Sequence, residues 1–364
     1  MSSNIAVRAG RTAAGLAIMA ILGLGSLIGA QNIIENPAKP LAKDGGRILK
    51  LIEVWRITDD AGEFFFKYPQ DLRIADDGSI FLREVGQFLR FSADGKFLKD
   101  IFRKGQGPGE MSDSAFQYYL HGQDLFILHR NSSRFWRADL EGRFQEQYDI
   151  TSLLDPDFIG VVPEGFLFLT FVWPPRNEFT GKSVDIPYTL AEVGGAGRKA
   201  RDITTLKSRA FLAAHRVSFD TLVIKPGSDG EALYVFNGWD YRIEVLDPAS
   251  GATLKRFSRL YPKVRMVMTD AQEDERHKNN LPKYEYMPDI NNLYPTTAHL
   301  WVETSTVDMA KGRLIDIFDK DGRFVDSFYL GAGRTLMAVQ EGFLFTQEKS
   351  EDGTISLVKY RIGK

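Results

Sequence analysis

The chain contains no cysteine. Disulfides, thiolate nucleophiles, cysteine-ligated zinc and a lipid-modified cysteine are thereby all excluded. Histidine is scarce, with only His121, His129, His215, His277 and His299, and no His-Glu-x-x-His pair exists among them. A zinc site would need ligands converging from separate segments, and no local pattern announces one. Neither sign of charge dominates: 46 basic residues face 48 acidic ones, for a formal net charge of −2. No basic stripe stands out, so a nucleic-acid partner is not expected. Long apolar runs are also missing beyond Ala30. The exception is AAGLAIMAILGLGSLIGA, from Ala13 to Ala30, preceded by Arg8 and Arg11 and no acid. A basic start, an apolar stretch and a small residue at its end read as a secretory signal over residues 1–30, with cleavage after Ala30. Its 18 residues reach the lower edge for a membrane span. Left uncleaved, residues 13–30 would therefore serve as a membrane anchor. Either way the sequence predicts an extracytoplasmic protein, periplasmic or secreted.

Glycine and aromatic residues are abundant, and they are placed periodically. Phe81, Phe126, Phe168, Tyr234, Trp301 and Phe345 each sit in a short β-type run, at spacings of 45, 42, 66, 67 and 44. Five of them follow a turn glycine (Gly78, Gly122, Gly165, Gly230, Gly342) by three or four residues. A repeat of about 40–50 residues signals propeller blades or solenoid units. The first repeat shows the four strands of a blade: DLRIA (Asp71–Ala75), SIFLRE (Ser79–Glu84), QFLRFS (Gln87–Ser92) and KFLKDIF (Lys96–Phe102). Its turns are Asp76-Asp77-Gly78 and Ala93-Asp94-Gly95, and Asp-Gly between alternating runs is a strong hairpin signal. The second hairpin recurs at Glu141-Gly142, Ser250-Gly251 and Asp321-Gly322, while Gly194, Gly195 and Gly197 make a looser version in the third repeat.

The last repeat ends at SLVKYRIGK, one strand short, while RILKLIEVWRI (Arg47–Ile57) precedes the first repeat without a partner. The sequence thus predicts an all-β fold: a six-bladed β-propeller over residues 47–364, closed by an N-terminal strand that completes the last blade. Residues 31–46, polar and proline-bearing, read as a linker. Insertions are expected around residues 174–183 and 208–216 and over residues 259–297. Within the last, Thr269-Asp-Ala-Gln272 reads as a capping box opening a short surface helix over Asp270–Lys278.

The Asp-Gly-turned blades, the loop Gly105-Gln-Gly-Pro-Gly-Glu110 and the segment Tyr284-Glu-Tyr-Met-Pro288 leading to LWVE (Leu300–Glu303) resemble exported bacterial six-bladed propellers of the NHL/TolB-like type. That resemblance implies the fold, and a function ranging over binding scaffolds, lactonases and lyases. The Gly105–Glu110 loop is not read as a nucleotide cradle, since Pro108 removes a donor and no helix or Walker lysine follows. Asp316, Asp319 and Asp321 lack calcium-loop spacing, and Asp321-Gly322 serves a hairpin.

The loops after the second strand of each blade gather at one mouth of a propeller channel. Here they begin at Glu84, Arg130, Trp173, Asn237, Glu303 and Glu348, and carry Asn131, Arg134, Arg176, Trp239, Asp240, Tyr241 and Asp308. Expected ligand-binding residues are Glu84, Asn131, Arg134, Arg176, Asn237, Asp240, Tyr241 and Glu303, because acids, arginines and an aromatic at one mouth suit a polar ligand. The preferred expectation is a non-enzymatic binding or interaction module, a monomer whose ligand is a protein, a peptide or a small polar molecule. No cofactor is expected. The alternative is a metal-dependent, lactonase-like hydrolase or lyase with a channel site. In that case Glu84, Asn131, Asn237 and Asp240 would hold a divalent cation such as calcium.

Overall fold

Each repeat folds as a radial antiparallel sheet in the computed structural model, which describes residues 33–59, 62–111, 116–129, 134–175, 177, 181–195, 199–213, 216–219, 222–279 and 281–363. The signal expected at residues 1–30 lies outside the described residues. Three N-terminal strands come first: β1 (Ile33–Asn36), β2 (Arg47–Ile48) and β3 (Leu51–Thr58). Blade one is β4 (Gln70–Ile74), β5 (Ile80–Glu84), β6 (Gln87–Phe91) and β7 (Phe97–Asp100). Blade two is β8 (Phe116–His121), β9 (Asp124–His129), β10 (Arg134–Asp139) and β11 (Phe144–Asp149). Blade three is β12 (Asp157–Val162), β13 (Gly165–Phe171), β14 (Lys182–Gly194), β15 (Lys199–Ala213) and β16 (Arg216–Phe219). Blade four is β17 (Val223–Pro226), β18 (Leu233–Phe236), β19 (Arg242–Leu246) and β20 (Thr253–Arg259). After helix α1 (Asp270–Lys278), blade five is β21 (Ile290–Pro295), β22 (His299–Asp308), β23 (Gly312–Asp319) and β24 (Phe324–Tyr329). Blade six is β25 (Arg334–Gln340), β26 (Phe343–Lys349) and β27 (Ile355–Ile362), with β3 as its outer strand. The innermost strands β4, β8, β12, β17, β21 and β25 touch in a closed circle, so blades one and four stand opposite each other.

Closure follows the predicted route. Strand β3 runs antiparallel to β27, from Thr58 beside Ser356 to Leu51 beside Ile362. Within the linker expected at residues 31–46, Ile33–Asn36 pairs in parallel with Arg256–Arg259 of blade four; of the closing run expected at Arg47–Ile57, Arg47–Ile48 pairs instead in parallel with Phe328–Tyr329 of blade five. Between them, Asn36 is buried and binds three groups. Its amide donates to the carbonyls of Ser258 and Gly322, and its oxygen accepts from the Phe324 amide. The N-terminal segment therefore ties blades four, five and six in succession.

Six apolar clusters fill the six gaps between blades, and the period-2 alternation of the second strands feeds both neighbours. In β5, Phe81 faces blade two while Ile80 and Leu82 face blade six. Phe126, Tyr234, Trp301 and Phe345 likewise face the following blade. Phe168 does not. It joins Phe126, Phe135, Phe158 and Phe166 between blades two and three, leaving Leu167 and Leu169 to face blade four. The aromatic landmark of blade three is thus one residue out of phase.

The turn glycines of the outer hairpins have two roles. Gly95, Gly142, Gly251 and Gly322 adopt φ of 85°, 72°, 68° and 86°, where a side chain is strained. Each also presses on the preceding blade. A Cβ would come within 3.0 Å of Trp55, 2.4 Å of Ile101, 2.7 Å of Thr204 and 2.8 Å of Phe257, respectively. A donor from the preceding outer strand latches the same turns: Trp55 to the Ala93 carbonyl, Lys99 to Glu141, Arg201 to Ala249 and Lys255 to Lys320.

The blade-three insertions form strands, whereas the 259–297 insertion is loop and helix α1 up to β21. Blade three's outer hairpin extends past the end of β13, with Lys182–Pro187 paired to Lys207–Leu212 and β16 added alongside. Helix α1 forms over the predicted residues with its capping box, Thr269 and Gln272 exchanging bonds. Among the described residues no helix is long and apolar enough to cross a membrane.

Candidate functional site

The up-and-down order of every blade places two kinds of connection on one face: those after the second strand and those between blades. The short glycine turns lie on the opposite face. Most sequence-expected site residues do lie at the loop face, but their side chains serve the ring itself. Glu84 is only 2 % exposed, and its carboxylate accepts from the backbone amides of Lys67, Tyr68 and Val85. Arg134 donates to the carbonyls of Gly107 and Glu110 and lies over Trp136. The Gly105–Glu110 loop it holds is plugged by its own Glu110, whose carboxylate accepts the Gly107 amide at 2.7 Å. Glu303 is buried beside Arg313 at 3.0 Å and Tyr294 at 3.0 Å, and burial raises its carboxyl despite Arg313. Asn237 accepts the Asp240 amide at 3.4 Å, and both are exposed. Asn131 and Arg176 lie outside the described residues.

Tyr241 is the largest departure from expectation. It is buried between blades four and five, and its hydroxyl donates to Asp316. Arg259 completes this cluster, with its Nε 2.8 Å from the Asp316 carboxylate and its guanidinium about the faces of Tyr241, Tyr261 and Phe324 at 5.0, 5.0 and 4.7 Å. The Nε–H does not point along that short contact, so the pair is held by charge more than by a straight hydrogen bond. Burial pushes the Asp316 carboxyl up to about 6, against the pull of Arg259 and Tyr241.

The loop face exposes apolar side chains among charged ones such as Lys67, Arg265 and Glu285. Among the described residues, Phe65, Tyr68, Trp173, Leu260, Val267 and Met309 are exposed there, with Trp173 at 47 % and Met309 at 91 %. The remaining large exposed apolar residues of the described ring lie at this same face or on outer strands and the N-terminal segment, and none lies in the described short turns of the opposite face. The 260–289 insertion is fixed to this face: Tyr284 stacks on Trp239 at 4.4 Å, and Lys263 bridges the Trp239 carbonyl and Asp289.

A second feature is the central cavity of about 870 Å³ along the innermost strands. Its charged lining residues are Asp71, Arg73, Arg83, Asp157 and Lys225, and none of the described sequence-expected site residues lines it. The missed signal was present in the sequence as charges interrupting the first strand of a repeat, in DLRIA and VIKP. Among the described residues no group of three or more His, Asp and Glu is placed to hold a metal ion.

No protein-family model matches the chain, and no curated protein matches it. Solved structures do. A Bacteroides fragilis protein whose name assigns it to export aligns over 92 % of this chain and 100 % of its own, at TM-score 0.59 and 12 % identity. A member of the DUF4221 family from Bacteroides vulgatus aligns over 87 % of this chain and 99 % of its own, at TM-score 0.50 and 8 % identity. At such identities the likeness shows the fold, a six-bladed β-propeller, and no chemistry.

Proposed function

We propose that this protein is an exported, non-enzymatic binding module of the NHL/TolB-like kind, a monomer that engages a protein or peptide through its loop-lined face. The observation that carries this reading is that the exposed large apolar side chains of the described residues, outer strands and the N-terminal segment aside, lie on that face. Large apolar side chains gathered on one face of a ring are the kind of exposure that marks an interaction surface. Aromatic and methionine side chains such as Trp173 and Met309 are also the types enriched in protein interfaces. The basic-then-apolar residues 1–30 support export, in keeping with the name of the Bacteroides fragilis structural neighbour.

The competing reading is metal-dependent hydrolysis of lactone-like substrates. Elemental analysis of the purified protein, followed by lactone assays with and without chelator, separates the two. The binding reading predicts substoichiometric metal and background turnover in both assays. Stoichiometric calcium or zinc with chelator-sensitive turnover would overturn it.

A further inference from the structure

The central cavity holds an arrangement of charge that the fold does not need. Asp71 sits in innermost strand β4 at φ 50°, a left-handed conformation uncommon for any residue but glycine. It lies in an irregularity of the pairing between Gln70 and Arg73, the kind of bulge that re-aims side chains. Tyr118 of blade two pins this bulge by donating to the carbonyls of Asp71 and Phe81. The Asp71 carboxylate accepts from Arg73 Nε at 3.2 Å, and the guanidinium rests against the rings of Tyr118 and Tyr119 at 5.3 and 5.2 Å. The terminal nitrogens of Arg73 hydrogen-bond no described residue and are left to the cavity.

Lys225 enters from β17, on the opposite side of the ring. No described carboxylate lies within ion-pair distance of it. Burial lowers its ammonium, Arg73 across the channel lowers it further, and Asp71 opposes both. The cavity lining holds three cations, Arg73, Arg83 and Lys225, against two carboxylates, Asp71 and Asp157. Asp157 is engaged by Gln117 at 2.7 Å, and Arg83 by Gln70 at 3.1 Å.

We propose that the channel binds a small hydroxylated organic acid whose carboxylate lies between Arg73 and Lys225. One excess positive charge calls for one negative charge, which a carboxylate supplies and a phosphate dianion exceeds. An arginine fork matches two carboxylate oxygens, while lysine adds a compact charge. Asn292, Thr335, Gln340 and Gln347 also line the cavity and suit hydroxyl groups. This site is separate from the loop face and stands whether or not that face binds a protein.

Isothermal titration calorimetry with D-glucuronate, D-glucose and inorganic phosphate tests the proposal. The Lys225→Met variant keeps the side-chain stem and removes a half-buried charge without a described ion-pair partner, so it is expected to melt no lower than wild type. Wild type is expected to bind glucuronate saturably, Lys225→Met to bind it at least about tenfold more weakly, and glucose to give no heat. Absence of glucuronate binding, equal binding of glucose, or unchanged affinity in Lys225→Met would each overturn the proposal. Phosphate binding tighter than glucuronate would overturn the carboxylate assignment.

Discussion

A chain that begins at Asp59 is expected to lose the cooperative unfolding of the ring, whereas one that begins at Lys50 keeps it. The first lacks β3, the second only β1 and β2. Strand β3 supplies the outer edge of blade six along its whole length. It buries Ile57, places Trp55 and Leu51 against blade six, and lends the Trp55 indole N–H to the Ala93 carbonyl of blade one. Each of these large side chains stabilises by about 1.5–3 kcal/mol when fully buried, so the three together reach roughly 4–6 kcal/mol with two only partly covered. That is of the order of a domain's whole margin of stability. Loss of β3 also bares β27 as an open edge, which invites aggregation. Thermal melts of the two truncated chains, beside one that begins at Ile33, measure this. The Lys50 chain should melt below the Ile33 chain because the Asn36 contacts are gone. Equal melting of the Asp59 and Lys50 chains would remove β3 from the closure.

The second large effect lies in the cluster between blades four and five. Replacing Asp316 by alanine leaves Arg259, 4 % exposed, without its counter-charge. Truncation costs about 3–5 kcal/mol because, unlike protonation, it removes the oxygens that the buried Arg259 guanidinium and Tyr241 hydroxyl contact. The double variant Asp316→Leu, Arg259→Met removes both charges and is expected to recover most of that loss. The pair also gives stability a pH dependence of definite sign. The folded Asp316 carboxyl is raised to about 6 from an ordinary 3.8. Its contribution is therefore fully present below about pH 4 and is lost as pH rises through 6, amounting to about 3 kcal/mol at 1.36 kcal/mol for each pH unit. Urea unfolding of wild type and Asp316→Asn at pH 7 and pH 4 measures it. Wild type should gain on the variant at the lower pH, and a constant difference would contradict the titration.

Features that announce themselves locally were legible in the sequence. The Asp-Gly hairpins, the capping box at Thr269 and the unpaired run Arg47–Ile57 depend on neighbours within a few residues or on a missing strand. Strand β1 escaped because IIEN is too short to alternate, and a parallel addition to an outer strand needs no turn. Phe168 carries the right residue type in the wrong phase. A one-residue offset leaves a repeat count unchanged yet sends the side chain to the other face of the sheet. The site was harder to read for a related reason. Glu84, Tyr241 and Glu303 look like loop-mouth groups in sequence, because sequence does not show a carboxylate wrapped in backbone amides or a phenol tucked between blades. Arg73 and Lys225 lie about 150 residues apart in the chain, and only ring closure sets them across one channel.

The absence of cysteine makes the binding face directly testable, since a single introduced thiol is unique. Met309→Cys places it on the loop face, where the native residue is 91 % exposed. Glu164→Cys places it in an exposed short turn of the opposite face. Each variant would carry a photoactivatable crosslinker and be illuminated in cells that make the protein. A discrete protein adduct from Met309→Cys, weakened by Trp173→Ser and absent from Glu164→Cys, is the predicted result. Adducts of equal yield from both faces, or from Glu164→Cys alone, would contradict it.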